Sequence, residues 1–223
     1  MKILKFLAAA AIAIFVGNAA NAQGIRFDAQ VGWSAPQGEE FKNSAKAGLC
    51  YSLDLMFAPS FLNGQLSFGI AKDGNILFGV KKDYEGTFAL DYSASKLGLV
   101  GGKIRFDLKA PVVKPYAAIT LGVGRLKLGE VKTASVKLGS FTLTGNNDDE
   151  PYEYDAATTF AVKPELGVAF GWFTIGVGWM LPADYEVFNY EAYLASNHTI
   201  SQKQKINVGT TQFNIGVAFK FGD

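Results

Sequence analysis

The fold is decided by the stretch IRFDAQVGW, which spans Ile25–Trp33. Apolar and polar side chains alternate strictly along it. Successive side chains of a β-strand point to opposite faces, so the alternation predicts a strand with one apolar and one polar face. The polar face includes the charged residues Arg26 and Asp28. In a soluble sandwich that face would meet water, whereas in a membrane barrel it would point into the lumen and the apolar face would meet lipid.

The same alternation returns along the rest of the chain. It is found in residues 45–57, 66–71, 100–108, 116–124, 159–170, 173–179 and 212–221. The longer segments span about 9–13 residues, and a tilted strand needs about 9–11 residues to cross a bilayer. The polar faces are rich in glycine, which suits a narrow, crowded lumen. The sequence therefore predicts an all-β fold, a closed antiparallel transmembrane β-barrel.

Strand parity also predicts which charged side chains face the lumen. These are Arg26, Asp28, Lys46, Asp54, Lys103, Arg105, Asp107, Lys163, Glu165 and Lys220. Charges shielded from water need partners, and a barrel of eight strands has room only for side chains. The favoured interpretation is a network of ion pairs that fills the interior. The alternative is a narrow polar path for small ions or solutes.

The number of strands depends on residues 72–95. Lys72–Asn75 is either a bulged bend inside a long strand, which gives eight strands, or a hairpin turn at Asp73-Gly74, which gives ten. Eight is preferred, because Ile76–Lys81 is short for a membrane crossing. Pro164 lies inside another predicted strand and lacks an N–H group, so we expect a β-bulge there.

The connections between the predicted strands alternate in length. Residues 58–63, 109–113 and 171–172 are short connections, whereas residues 34–44, 129–156 and 180–205 are long. This asymmetry predicts short periplasmic turns and long external loops. The long loops contain the aromatic residues Tyr152, Tyr154, Tyr185, Phe188, Tyr190 and Tyr193. Such residues either contact an extracellular partner or lipid headgroups, or pack on one another.

The start of the chain has the features of a secretory signal peptide. Lys2 and Lys5 precede a short apolar run, residues 6–16, and an Ala-x-Ala sequence ends at Ala22. The pattern predicts cleavage between Ala22 and Gln23, which leaves residues 23–223 as one barrel domain. The residue after the cleavage site is not cysteine, so a lipid anchor is not expected.

The composition excludes several classes of function. The chain has 21 basic and 20 acidic residues, so nothing favours nucleic-acid binding, which calls for a basic face. Cys50 is the only cysteine and His198 the only histidine, which leaves little for disulfide, metal or imidazole chemistry. An acidic stretch, residues 146–155, lacks the glycine and terminal glutamate of a calcium loop. No cofactor and no metal are predicted.

Several motifs carry a resemblance to a known family. They are the terminal Phe219-Lys220-Phe221, the strand opening Lys114-Pro115-Tyr116 with Gly122-x-Gly124, and the strand segment Lys163–Gly167. With them the chain resembles the OmpA/OmpX-like, porin-family small outer-membrane β-barrels without a periplasmic domain. The resemblance implies a Gram-negative outer membrane, contact with membrane lipid and lipopolysaccharide, and assembly by the barrel-assembly machinery. Phe219 and Phe221 would form the assembly signal, although Gly222-Asp223 follows them where the family ends on an aromatic residue.

Three functional hypotheses remain. The first is a non-enzymatic barrel of the cell envelope with a structural role or a surface-interaction role through its external loops. The second is a narrow porin for small solutes. The third is an outer-membrane lipid-modifying enzyme, which would need a nucleophile, a base and a carboxylate in contact. His198, Ser196 and Glu186 share one loop, but nothing in their spacing supports a triad, and no catalytic residue is predicted.

Overall fold

The structure is a computed structural model that describes residues 24–43, 45–59, 65–84, 88–129, 131–138, 141–146, 156–188 and 203–221. Within these residues the chain forms β-strands and one turn of helix. The elements are β1 (Ile25–Gln37), α1 (Glu39–Lys42), β2 (Ala45–Phe57), β3 (Leu66–Gly79), β4 (Lys81–Tyr84), β5 (Phe88–Tyr92), β6 (Ser95–Asp107), β7 (Lys114–Lys127), β8 (Val131–Leu138), β9 (Phe141–Asn146), β10 (Ala157–Phe170), β11 (Phe173–Phe188) and β12 (Lys203–Phe221).

The long strands form a closed barrel in the order β1-β12-β11-β10-β7-β6-β3-β2. All neighbours are antiparallel, and the first and last strands close the ring with Ile25 opposite Phe221. The prediction of an eight-stranded barrel is confirmed. Both chain ends of the barrel and the connections after β2, β6 and β10 lie at one end, called here the short-turn end. The opposite end is called the long-loop end.

The segment that left the strand count open is a regular part of β3. Lys72 lies opposite Leu53 and Gly74 opposite Tyr51, with no shift of register between them. Residues 72–75 are therefore neither the hairpin turn nor the bulged bend that the sequence suggested. The following strands are short because they belong to a second sheet of four strands, in the order β4-β5-β8-β9. Its two hairpins come from two different connections of the long-loop end and are joined by pairing between β5 and β8.

Two β-bulges change which side chains face the interior. One lies between Lys46 and Leu49 in β2, and the other between Met180 and Ala183 in β11. Beyond the first bulge Ala45 is buried and Lys46 is exposed, so the prediction that Lys46 faces the lumen was wrong. The reason is that one extra residue in a strand reverses the alternation of faces.

The bulge predicted at Pro164 does not occur. Pro164 lies opposite Ile119 in an unshifted ladder with β7. The ladder with β11 runs from Glu165 to Phe170 and stops beside the proline. The strand therefore accommodates the missing N–H by ending one of its two ladders.

The outer face of the barrel is an apolar band. Exposed side chains include Val31, Leu53, Ile70, Val100, Leu121, Leu166 and Ile215, from seven of the eight barrel strands. Aromatic pairs lie near the short-turn end, with ring centroids 5.3 Å apart for Phe57 and Phe68 and 6.1 Å apart for Trp172 and Phe219. Nearer the long-loop end Trp33 contacts Phe78 at 6.1 Å. An apolar band between two aromatic belts is the outer surface expected of a transmembrane barrel.

No helix among the described residues has the length and apolar character needed to cross a membrane.

One charged residue interrupts the band. Lys72 is exposed on β3 between the lipid-facing Ile70 and Ile76, and its ladder neighbours Leu53 and Val100 are also exposed and apolar. It lies between Phe68 and Phe78 and thus near the middle of the band. A lysine on the lipid face near the bilayer midplane costs about 2–4 kcal/mol.

We expect Lys72→Leu to stabilise the barrel. The free energy of unfolding from lipid vesicles, measured by urea titration, should rise by about 2 kcal/mol, because an ammonium is removed from the apolar band. Lys96→Leu is the control, since Lys96 is exposed near the long-loop end, where the cost of a charge is small. If the two substitutions raised the free energy of unfolding equally, Lys72 would not lie near the middle of the apolar band.

Candidate functional site

The interior near the short-turn end contains two arginines and two aspartates, and each arginine forms an ion pair with both aspartates. Arg26 Nε contacts Asp28 Oδ1 at 2.8 Å on its own strand, and Arg26 Nη1 contacts Asp107 Oδ2 at 2.9 Å on the far side. Arg105 Nη2 contacts Asp107 Oδ1 at 2.9 Å, and Arg105 Nη1 contacts Asp28 Oδ2 at 3.0 Å. We call these four residues the arginine–aspartate quartet. Each arginine bridges both carboxylates, so the quartet is neutral and ties β1 to β6.

A second charged group lies next to the quartet, on the side of the long-loop end. Lys103 Nζ donates to Asp54 Oδ2 at 2.5 Å and to Glu165 Oε2 at 3.0 Å. Lys163 pairs with Asp73 and lies 3.7 Å from Glu165 Oε2. These five residues form the lysine–carboxylate group, and each is at most 2% exposed. Every lysine of the group thus has two carboxylates, as buried charges require.

Tyr116 connects the two groups. The guanidinium carbon of Arg105 lies 3.4 Å from the centre of the Tyr116 ring. The Tyr116 hydroxyl donates to Glu165 Oε1 at 2.7 Å. Gln30 Nε2 also donates to Glu165 Oε1, at 3.3 Å. The charged interior is therefore one continuous network from β1 to β10.

The network fits because small residues flank the long ones. Arg105 lies opposite Ser67 on one side and Ala118 on the other. Gly178 leaves further space, since a Cβ atom there would lie 2.8 Å from Lys163 Cε. Side chains directly opposite each other in a ladder point to the same face. Small ladder neighbours thus leave space for each long charged chain to cross the lumen.

Polar but uncharged residues form the next layer toward the long-loop end. Cys50 Sγ donates to Asn214 Oδ1 at 3.1 Å, and Gln212 Nε2 donates to Asn75 Oδ1 at 2.9 Å. Gln212 Oε1 and Asn214 Nδ2 of this layer are buried and have no hydrogen-bond partner among the residues that the structure describes, and the same is true of Asp73 Oδ2 in the adjoining lysine–carboxylate group. Buried polar atoms of this kind are where ordered water binds, so we expect this layer to be hydrated.

Above this layer the interior becomes apolar. The cluster, called here the apolar plug, consists of Phe41, Ala45, Leu77, Leu97, Leu99, Leu126, Ala157, Ala161, Met180, Tyr185, Val187, Ile206 and Val208. Phe41 comes from α1 and is 1% exposed, so the turn of helix covers the interior at the long-loop end. The two bulges direct Ala45, Tyr185 and Val187 inward. Tyr185 was predicted to lie in a long loop, where it would contact a partner or lipid headgroups or pack with other aromatics. It lies instead in β11, which continues past its bulge to Phe188, and its side chain packs in the apolar plug.

The structure places eight of the ten predicted lumen residues inside the barrel. Arg26, Asp28, Asp54, Lys103, Arg105, Asp107, Lys163 and Glu165 are all buried. Lys46 is exposed, as described above. Lys220 is also exposed, because it lies one residue from the end of β12, opposite Arg26. It belongs to the mouth of the barrel at the short-turn end.

Sequence reasoning missed Asp73, Gln30 and Tyr116 as members of the charged network. Residues 72–75 were predicted to form a bulged bend in a strand or a hairpin turn, because Asp-Gly is a common turn sequence, so Asp73 was not counted among the lumen residues. A signal for the quartet was present, since Ile-Arg-Phe-Asp occurs both at residues 25–28 and at residues 104–107. The repeat places an arginine and an aspartate on the same face of each of two strands.

Other predicted sites lie partly outside the described residues. Phe219 and Phe221 are on the outer face at the short-turn end, and Phe221 is 59% exposed. Glu186 is exposed on β11 with one oxygen 3.9 Å from Lys205 Nζ. The signal peptide with Ala22 and Gln23, the acidic residues 147–155, and His198 with its neighbouring serines lie outside the described residues, as do Tyr152, Tyr154, Tyr190 and Tyr193.

No protein-family model and no curated protein matches the chain. Among solved structures it is similar to the crystal structure of Neisserial surface protein A, at 15% sequence identity and a TM-score of 0.48, over 88% of this chain and 97% of that chain. It is also similar to a major outer membrane protein from Thermus thermophilus, at 10% identity and a TM-score of 0.42, over 89% of this chain and 99% of that chain.

The architecture itself defines the class of protein. A closed antiparallel barrel satisfies every strand ladder, and only such a barrel or a helix can cross a bilayer. The apolar outer band and the polar interior are those of outer-membrane barrels. The chain is thus a small, eight-stranded outer-membrane-type β-barrel.

We expect Arg105→Met to destabilise the barrel strongly. The substitution leaves Asp28 and Asp107 to share Arg26, and an uncompensated buried charge costs about 3–5 kcal/mol. Urea titration of the protein in lipid vesicles measures this loss. Lys205→Gln is the control, since it breaks an exposed ion pair and should change stability by less than about 0.5 kcal/mol. If Arg105→Met were as stable as the wild type, the quartet would not contribute to stability.

Proposed function

We propose that the protein is a non-conducting barrel of the outer membrane that acts through the surface at its long-loop end. The observation that carries this proposal is the occupancy of the lumen. Charged, polar and apolar layers follow one another along the axis, and the side chains of the charged layers and the apolar plug are almost completely buried. A pore needs a continuous polar path, and the apolar plug interrupts any such path at the long-loop end.

The long-loop end supports the second half of the proposal. Closing a barrel requires only short connections between strands. Here two of the connections instead form β4-β5 and β8-β9, and the pairing of β5 with β8 joins them into one sheet outside the barrel. Paired strands hold a surface in a fixed shape, which suits recognition of a partner better than separate loops do. Surface interaction, for example adhesion, is the role this arrangement favours.

A narrow porin is the main alternative function, and electrical recording separates the two. We expect the purified protein in planar bilayers to show no steady channels, while a porin inserted by the same procedure conducts. The physical reason is that ions would have to break the charged network and then cross the apolar plug. Steady openings of uniform size would contradict the proposal.

The surface role is tested by shortening one hairpin. Replacing residues 131–146 with a tight turn removes β8 and β9 and leaves the barrel ladders intact. We expect cells that display this variant to bind less to immobilised matrix proteins, glycans or one another than cells that display the full chain. Heat-modifiable migration on a detergent gel verifies that both barrels are folded. Equal binding by the two kinds of cell, with both proteins folded, would count against the surface role.

A further inference from the structure

The mouth of the barrel at the short-turn end contains an open cavity of about 470 Å³. It is lined by Gln65, Asp107, Leu108, Lys109, Ala110, Pro111, Lys114 and Lys220. Lys109 and Lys114 flank the connection between β6 and β7. Lys220 comes from β12, which is not a neighbour of either strand in the barrel. The closed ring therefore brings three ammonium groups to one cavity.

The lining is positive despite the presence of Asp107. That carboxylate is contacted by Arg26 at 2.9 Å and by Arg105 at 2.9 Å, so its charge is already compensated inside the barrel. The remaining ionisable groups of the lining are the three lysines. Converging lysines act as point charges for a phosphate group.

The same connection also exposes apolar side chains. Leu108 is 50% exposed and Val112 is 74% exposed, next to Lys109 and Lys114. Large apolar side chains beside basic ones are typical of a surface that lies at the boundary between headgroups and acyl chains. The aromatic rings of Trp172 and Phe219 lie at this end too and are typical of the same level.

We propose that this cavity, called here the basic mouth, binds the headgroup of an anionic glycerophospholipid. Lys109 and Lys114 would hold the phosphate, and Leu108 and Val112 would lie against the acyl chains. Short turns face the periplasm in barrels of this class, so the lipid comes from the inner leaflet, which consists of phospholipid. The site is at the opposite end from the proposed interaction surface and does not depend on it.

The experiment uses the folded full barrel in detergent and native mass spectrometry with added phosphatidylglycerol. The wild type should retain one lipid molecule. The double variant Lys109→Gln/Lys114→Gln should bind it about tenfold more weakly, since each lysine near a lipid phosphate contributes severalfold to affinity. Lys96→Gln/Lys203→Gln is the matched control, because it removes the same charge from exposed positions toward the long-loop end and should bind as the wild type does.

Several results would overturn the assignment. If the wild type retained no phosphatidylglycerol, the proposed site would not exist. If phosphatidylglycerol binding were weakened equally in both double variants, the effect would be one of overall charge and not of this cavity. Phosphatidylcholine bound as tightly as phosphatidylglycerol would show that the negative headgroup is not recognised. Inorganic phosphate that displaced the lipid at equal concentration would make the basic mouth a free-anion site. Heat-modifiable migration confirms in each case that the variant is folded.

Discussion

The barrel depends on the ion pairs that join β1 to β6. Each of these strands carries an arginine and an aspartate two residues apart, and each arginine contacts the aspartate of its own strand and that of the other. Strands so far apart in the ring share no ladder, so their relation is set by side chains that cross the lumen. If either strand moved by one residue, its charges would turn toward lipid and leave the opposite pair without partners. The quartet therefore determines the register as well as filling the space.

The interior changes character along the axis, and the bulges are part of the reason. On the short-turn side, strict alternation keeps charged residues inside and apolar residues outside. At the long-loop side the bulges of β2 and β11 reverse the alternation and place Ala45, Tyr185 and Val187 inside. Asp184 and Asn207 then face outward and bond to each other at 2.8 Å, which indicates that the barrel has left the lipid at this height. An apolar interior with a polar exterior is the arrangement of a soluble β-structure.

The two ends of the barrel consequently have different chemistry. The long-loop end is extended by paired strands, and Phe41 and its neighbours pack together in the interior there. The short-turn end is compact, basic at its mouth and surrounded by aromatic and apolar side chains. The charged, polar and apolar layers fill the lumen between them. The two proposed roles, surface interaction and lipid binding, are therefore assigned to opposite ends of the barrel.

The sequence by itself determined the class of fold and most of the charged interior. Period-two alternation over long segments predicts a barrel, because every residue must face either lipid or lumen, and it assigned Arg26, Asp28, Lys103, Arg105 and Glu165 to the inside. The tertiary structure decided where that rule fails. Lys46 was assigned to the wrong face and Tyr185 to a loop, because a bulge is set by the pairing of two strands and has no reliable local signal. Asp73 was left out of the predicted interior because Asp-Gly suggested a bulged bend or a turn, yet here an unshifted ladder on each side holds it in a regular strand. The partners of each charge, the second sheet and the basic mouth were also decided by tertiary structure, since each joins residues that only the closed ring brings together.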